Sequence, residues 1–328
     1  MLRRLLADFP RPFRTLVVMV PVLLLFLLVL SPPSSQALPE ADPAAVQAML
    51  SRSTMALVPF APVTGPATGG PVLTPRQHDD LTARVEQIIA DGGGRVGIAL
   101  QDLRTGATFS HGSREPFATA SVVKLTILTM LLLRAREEGR ELTETERAEA
   151  SVMIRYSDND VTNGLYERIG YNPGFVEGAE TLGFTDTEPH PHGVWGGTLT
   201  TPADQMRLLR ALYTDEGPLT ADERAYVRDL MESVAPEQAW GVSVAAAEGD
   251  VVGLKNGWTP RESDSGRWMI HSVGYVAGPE RVHLIAVMSD GHTDYGSGIA
   301  VVESVVAEVV STLEHPPVDP PAGAPPGR

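Results

Sequence analysis

Lysine and arginine together number 26 in this 328-residue chain, and only two of them are lysine: Lys124 and Lys255. A guanidinium keeps its proton in a protein, whereas an ammonium can be driven to the neutral amine by burial and neighbouring charge. Both lysines stand in short polar clusters. Lys124 closes Ser121-Val122-Val123-Lys124, Lys255 opens Lys255-Asn256-Gly257, and Ser157-Asp158-Asn159 lies between them. Ser121 and Lys124 are three apart, so at a helix start they share one face. Serine is a poor nucleophile until a neighbouring base takes its proton, and neutral Lys124 is the candidate base. Lowering an ammonium from about 10.4 to about 7 costs about 4–5 kcal/mol, within reach of burial plus a second cation. Lys255 is expected to be that cation. A helix N-terminus would aim its dipole and free N–H groups at charge growing on an attacked carbonyl. Taken alone, Ser157-Asp158-Asn159 also reads as a helix N-cap.

The three clusters, in this order, resemble the S-x-x-K, S-D-N and K-T-G set of class A β-lactamases and penicillin-binding proteins. Phe117-Ala118-Thr119-Ala120 leads into Ser121 as the family's phenylalanine-led approach leads into its nucleophile. The likeness extends to Thr200-Thr201-Pro202 with Met206, to Leu219–Arg224 and to the Trp240-Gly241 step, over about 240 residues. It implies Ser121 as nucleophile, Lys124 as base, Ser157 as proton shuttle to the leaving nitrogen, and Lys255 as the second cation. Asn159 would hydrogen-bond the substrate amide or Lys124. The oxyanion hole would be the backbone N–H groups of Ser121 and Trp258, each such donor being worth about 10²–10³ in rate. Arg267 matches an arginine that some members place near the substrate carboxylate; its plain reading is a solvated strand-end cation.

The chain departs from the family in three places. Asn256 of the third motif, just before Gly257, replaces a threonine or serine whose hydroxyl helps hold the substrate carboxylate. The stretches from Lys124 to Ser157 and from Asn159 to Pro202 are shorter than in class A enzymes, which should open the cleft. Glu188-Pro189 echoes the family's deacylating glutamate and its proline at the wrong spacing, so Glu188 reads either as that base or as a loop carboxylate. The expected activity is that of an exported serine acyl-enzyme hydrolase acting on a β-lactam, a cell-wall peptide amide or an ester, with slow release of the acyl group. The alternatives are a D-alanyl-D-alanine carboxypeptidase-like penicillin-binding enzyme and a non-catalytic domain that captures β-lactams or peptidoglycan.

Other chemistries fit less well. His190 and His192, near Asp186 and Glu188, lack the regular spacing of a metal site. A G-x-S-x-G elbow is missing around Ser121. His271 reads as a core histidine, and Trp195, Trp240, Trp258 and Trp268 as core or cleft-wall aromatics. No metal and no cofactor is expected. A net charge of −15 argues against nucleic acid as a partner, and a monomer is expected. The chain has no cysteine, which rules out disulfides, thiolate metal sites and a cysteine-borne lipid anchor.

At the N-terminus, Arg3, Arg4, Arg11 and Arg14 precede an apolar run, Leu16 to Leu30, followed by Ser35-Gln36-Ala37. Fifteen residues suit a signal-peptide core better than a membrane span. Residues 1–37 are therefore read as a signal peptide cleaved after Ala37, with a retained membrane anchor as the alternative. Cleavage would remove four arginines and Asp8, a net +3, and leave −18. Residues 38–74, rich in Pro, Ala, Gly and Thr, are expected to be a disordered linker, and residues 316–328, with six prolines, a disordered tail.

The folded unit is then 75–315. Its patterns predict helices at Pro75–Ile89, Ser121–Arg136, Glu144–Arg155, Asp160–Ile169, Pro202–Tyr213, Ala221–Val234 and Gly298–Leu313. Strands are predicted at Val96–Leu100, after a turn at Asp102–Gly106, and at Gly253–Asn256, Arg267–Val276 and His283–Ser289. The helix from Ser121 is apolar nearly all round and should be buried. Two strands, a helical middle, three strands and a last helix make an α+β order. The family resemblance implies the β-lactamase/transpeptidase-like version of it, an antiparallel sheet flanked by terminal helices plus a helical lobe.

Overall fold

Along the long strands successive side chains enter two different cores, and this period of two organises everything else. The computed structural model describes residues 73–317 apart from Glu280, so the expected signal segment, nearly all of the linker and most of the tail lie outside the described residues. Seven strands are described: β1 (Arg95–Asp102), β2 (Thr108–His111), β3 (Phe117–Ala118), β4 (Leu199–Thr200), β5 (Val251–Arg261), β6 (Arg267–Ala277) and β7 (Val282–His292). Five form an antiparallel sheet in the order β2-β1-β7-β6-β5, and β3 pairs with β4 in a separate ribbon.

On one face of the sheet Ile285, Val287, Ile270 and Leu254 pack with Val96, Ile98 and Leu100 under two helices, α1 (Pro75–Gly92) and the C-terminal Tyr295–Glu314. The C-terminal helix buries Val301, Val302, Val305, Val306, Val309, Val310 and Leu313, an i, i+1, i+4, i+5 stripe that fits one flat surface. Each such side chain contributes about 1.5–3 kcal/mol when fully removed from water. The opposite face presents Val273, Tyr275, Leu284 and Ala286 to the helical lobe.

That lobe is made of α2 (Val123–Glu137), α3 (Glu144–Arg155), α4 (Asn159–Arg168), α5 (Tyr171–Thr181), α6 (Pro202–Tyr213) and α7 (Ala221–Glu232), which makes Tyr295–Glu314 α8. Helix α2 is buried from Val123 to Leu133 and forms the axis of the lobe. Reciprocal capping boxes, Thr143 with Glu146 and Thr220 with Glu223, fix the starts of α3 and α7. The fold is α+β, with an antiparallel sheet flanked by terminal helices and a helical lobe.

Several elements differ from the sequence expectation, among them the β3–β4 ribbon, which no pattern predicted. Helix α5 is unanticipated: Pro173, Gly174 and Gly178 break its pattern. Gly178 is required by packing, since a Cβ there would stand 2.5 Å from Met130 Cγ. Strand β5 runs seven residues longer in all than the four predicted, through Gly257 and Pro260. It is an edge strand, where a missing N–H is tolerated. Ser121 lies in a 3₁₀ turn, Ala120–Val122, that precedes α2 instead of opening it.

Candidate active site

The turn that carries Ser121 is fastened on four sides. Phe117 and Ala118 pair with Thr200 and Leu199, and Thr119 N–H donates to Thr198 O at 2.8 Å. The Thr119 hydroxyl reaches Trp195 O and Gly196 O, both at 3.4 Å. From the sheet, His271 Nε2 donates to Ala118 O at 2.8 Å while its Nδ1 accepts from Ser289 N–H at 3.0 Å. The Ser289 donor fixes the Nε2–H tautomer. Burial pushes this imidazole down to about 4, so it stays neutral and keeps both bonds. The fourth side is Gly257: a Cβ there would stand 2.8 Å from Val122 N and 2.9 Å from Thr119 O. Only glycine lets β5 lie this close to the turn. Ala120, just before Ser121, is held at φ 45°, a left-handed conformation uncommon for a side-chain-bearing residue.

Helix α2 places Lys124 one turn beyond Ser121, fully buried. Its Nζ donates to Ser157 O at 2.5 Å and Asn159 Oδ1 at 2.7 Å, and lies 3.3 Å from Ser157 Oγ. Lys255, equally buried on β5, donates from Nζ to Ser157 Oγ at 2.9 Å and to Asn256 O at 2.8 Å. Both lysines therefore meet at one hydroxyl. Ser157 sits at φ 57°, also left-handed, which turns its carbonyl and hydroxyl toward the same amine. Asp158 caps α4 by accepting from Asp160 N–H and Val161 N–H, so the cap reading of this motif and the constellation coexist.

Burial lowers Lys124 to about 8, against the opposing pull of the Asp158 carboxylate. Burial also pushes Lys255 well below its usual range, and the nearby Lys124 adds to that. The sequence expected burial plus the Lys255 charge to lower Lys124; here desolvation is what lowers it. The two short contacts of Lys124 are both to oxygens that can only accept. A neutral amine spends its two N–H bonds on them and keeps its lone pair for a hydroxyl proton.

Arg267 is not brought to this site. It pairs with Arg261 at the tip of the β5–β6 hairpin, whereas Asn256 pairs with Ser272, five residues further along β6. At about 3.3 Å per residue that is about 17 Å. The Arg267 guanidinium donates to Gly291 O at 2.8 Å, on the β7 side and away from β5. Asn256 also differs from expectation. Its side chain is 1% exposed and both Nδ2 hydrogens are used, on Gln238 O at 2.8 Å and Trp240 O at 3.0 Å. Trp258 packs edge-on against Trp240 and beside Tyr295, leaving its backbone as the part that could face a substrate.

Glu188 lies elsewhere. Its backbone bridges Leu199, and its exposed side chain borders a cavity of about 350 Å³ shared with Ala118, His190, Arg261 and Met269. No hydrogen bond or ion pair joins its carboxylate to Lys124, Ser157 or Lys255 among the described residues. The residue that meets Lys124 from this loop is Trp195, whose ring centroid is 5.0 Å from Nζ and whose indole N–H donates to Asn163 Oδ1 at 2.8 Å. No local pattern marked Trp195 for that place. A signal did exist for His271, a polar ring in an otherwise apolar strand.

The chain resembles known proteins over most of its length. A family model described as the beta-lactamase enzyme family matches residues 80–151 and 147–313. A Mycobacterium tuberculosis protein named "Putative lipoprotein LppW" is 28% identical over 257 residues, 76% of this chain and 78% of its own. Among solved structures, a PBP-A mutant captured as its acyl-enzyme complex with penicillin G is similar at TM-score 0.61 and 20% identity, over 72% of this chain and 97% of that one. A class A beta-lactamase from Mycobacterium abscessus gives 0.61 and 20% over 71% and 99%. The TLA-1 extended-spectrum beta-lactamase gives 0.64 and 16% over 72% and 99%. These likenesses establish a β-lactamase/transpeptidase-like fold.

Proposed function

Because this chain belongs to the beta-lactamase enzyme family, we propose that it is a serine acyl-transfer hydrolase that works through Ser121. The observation that carries this reading is the sharing of Ser157 by two buried lysines, neither with a carboxylate within ion-pair distance among the described residues. Neutral Lys124 takes the Ser121 proton as the hydroxyl attacks a carbonyl carbon, and a C–O bond forms to give the tetrahedral intermediate. The Ser121 and Trp258 amides carry the oxyanion. As the C–N or C–O bond of the substrate breaks, Ser157 hands its own proton to the leaving atom and is reprotonated from Lys124. Lys255 and Asn159 hold Ser157 and Lys124 in register for that relay. Water then releases the acyl group.

Deacylation is the slow half. Glu188 lies outside the lysine–serine network, and the loop meets Lys124 with an indole, which offers no lone pair to activate water. This favours a penicillin-binding behaviour, with a long-lived adduct, over rapid β-lactam turnover.

The N-terminal arginines and the apolar run from Leu16 to Leu30 fit an exported protein of the cell envelope, and the mycobacterial relative is named as a lipoprotein. With no cysteine, this chain would depend on the run itself for membrane attachment.

Incubation with benzylpenicillin followed by intact mass spectrometry tests the mechanism. A covalent adduct on Ser121, absent in Ser121→Ala, is the expected result. Equal labelling of both proteins, or of neither, would refute it.

A further inference from the structure

We propose that the site is built for an uncharged acyl substrate, an ester or amide with no carboxylate beside the scissile bond. This rests on the serine acyl-transfer reading given above and deepens it. Two side chains, at positions 256 and 267, were the candidates for holding such a carboxylate, and neither is free to do so. Asn256 spends both Nδ2 hydrogens on the carbonyls of Gln238 and Trp240. The polar atom it has left, Oδ1, is buried and without a partner among the described residues. It is an acceptor, so it calls for a donor and repels a carboxylate oxygen.

Arg267 stands at the hairpin tip and leans over β7 toward Gly291 O. The residues that occupy β6 opposite the third motif are His271 and Ser272. His271 is already bonded to Ala118 O and Ser289 N–H, and Ser272 Oγ accepts from Val242 N–H at 2.9 Å. The length of the hairpin thus holds the arginine outward, and the groups opposite the third motif are neutral and occupied. Lys255 Nζ is spent on Ser157 and Asn256 O.

Two large exposed side chains adjoin the site residues in sequence, among exposed polar ones such as Asn159 and Asn163. Tyr156, next to Ser157, is 61% exposed, and Val194, next to Trp195, is 56% exposed. Apolar side chains left open beside a reactive group supply binding through area removed from water, which suits an uncharged acyl chain or ring.

The test is a matched pair: benzylpenicillin and its methyl ester, which differ only in the masked carboxylate. The full-length protein is mixed with each, and the second-order rate of Ser121 adduct formation is read by intact mass, normalised to each compound's own opening by hydroxide. The expected result is an ester-to-acid ratio of one or more, unchanged in Arg267→Ala. Faster labelling by the acid would overturn the carboxylate-free assignment alone. Labelling by neither compound would overturn the acyl-transfer reading of Ser121 and this inference with it.

Discussion

Strand β5 carries a cation in its middle and another at its end, and the two live under opposite rules. Lys255 in the middle is fully buried, bonded to a hydroxyl and a carbonyl, and pushed well below the usual ammonium range. At the end, Arg261 faces Asp290 at 3.8 Å, and Arg95 clasps the same carboxylate at 3.1 and 2.8 Å while also reaching Glu115. There the Arg95 guanidinium is raised above its ordinary value by its hydrogen bond to Asp290. A cation with a carboxylate partner is locked in its charged form. One given only neutral oxygens in a dry place becomes a proton carrier. Surface ion pairs of the first kind contribute about 0–1 kcal/mol; the second kind costs stability, and the proposed acyl transfer gives it a use.

The comparison is broken most directly at Lys124. Lys124→Met should lower Ser121 acylation by about 10²–10⁴, and Lys124→Arg should do the same, because a guanidinium keeps its proton. Recovery of labelling in the arginine variant would show that charge, and not a free amine, is what the site needs. Next comes pH. With Lys124 near 8 and the free amine as the reactive form, the acylation rate should climb about tenfold per unit below about 8 and level off above it. A flat profile from pH 6 to 9 would place the base elsewhere.

Gly257→Val should act through packing. Its added atoms meet Val122 N and Thr119 O, so overpacking should cost about 1–3 kcal/mol. Calorimetry should show a Tm lower by several degrees, with acylation reduced through displacement of the Ser121 turn. The smallest effect is expected at the arginine end. Arg267→Ala should change stability by less than about 0.5 kcal/mol and leave acylation by either penicillin form unaltered. A large loss there would mean that the hairpin folds back over the site in solution.

Local patterns carried much of this in advance. Thr143 with Glu146, Pro202 after Thr201, and the valines of α8 each announce a helix from neighbouring residues. The order of Lys124, Ser157 and Lys255 likewise marked groups that meet within hydrogen-bonding reach, with Ser121 one helical turn before Lys124. What escaped was set by distant contacts. Helix α5 has glycines set by what packs on them, Ile169 O at Gly174 and Met130 at Gly178, and β5 is long because β6 pairs with it through eleven residues. That same length removes Arg267 from the site. Trp195 meets Lys124 across 71 residues of chain, a contact no spacing rule encodes.

Every side-chain amine of this protein lies buried in the candidate site. Amine-directed reagents, which normally coat a protein's exterior, would here find only the chain terminus until the site opens. The rate at which an N-hydroxysuccinimide ester modifies Lys124 or Lys255 therefore counts excursions of β5 from the Ala120–Val122 turn and the Ser157 loop. Any acetyl or ubiquitin mark on a lysine of this chain would record a molecule that had come apart at its centre.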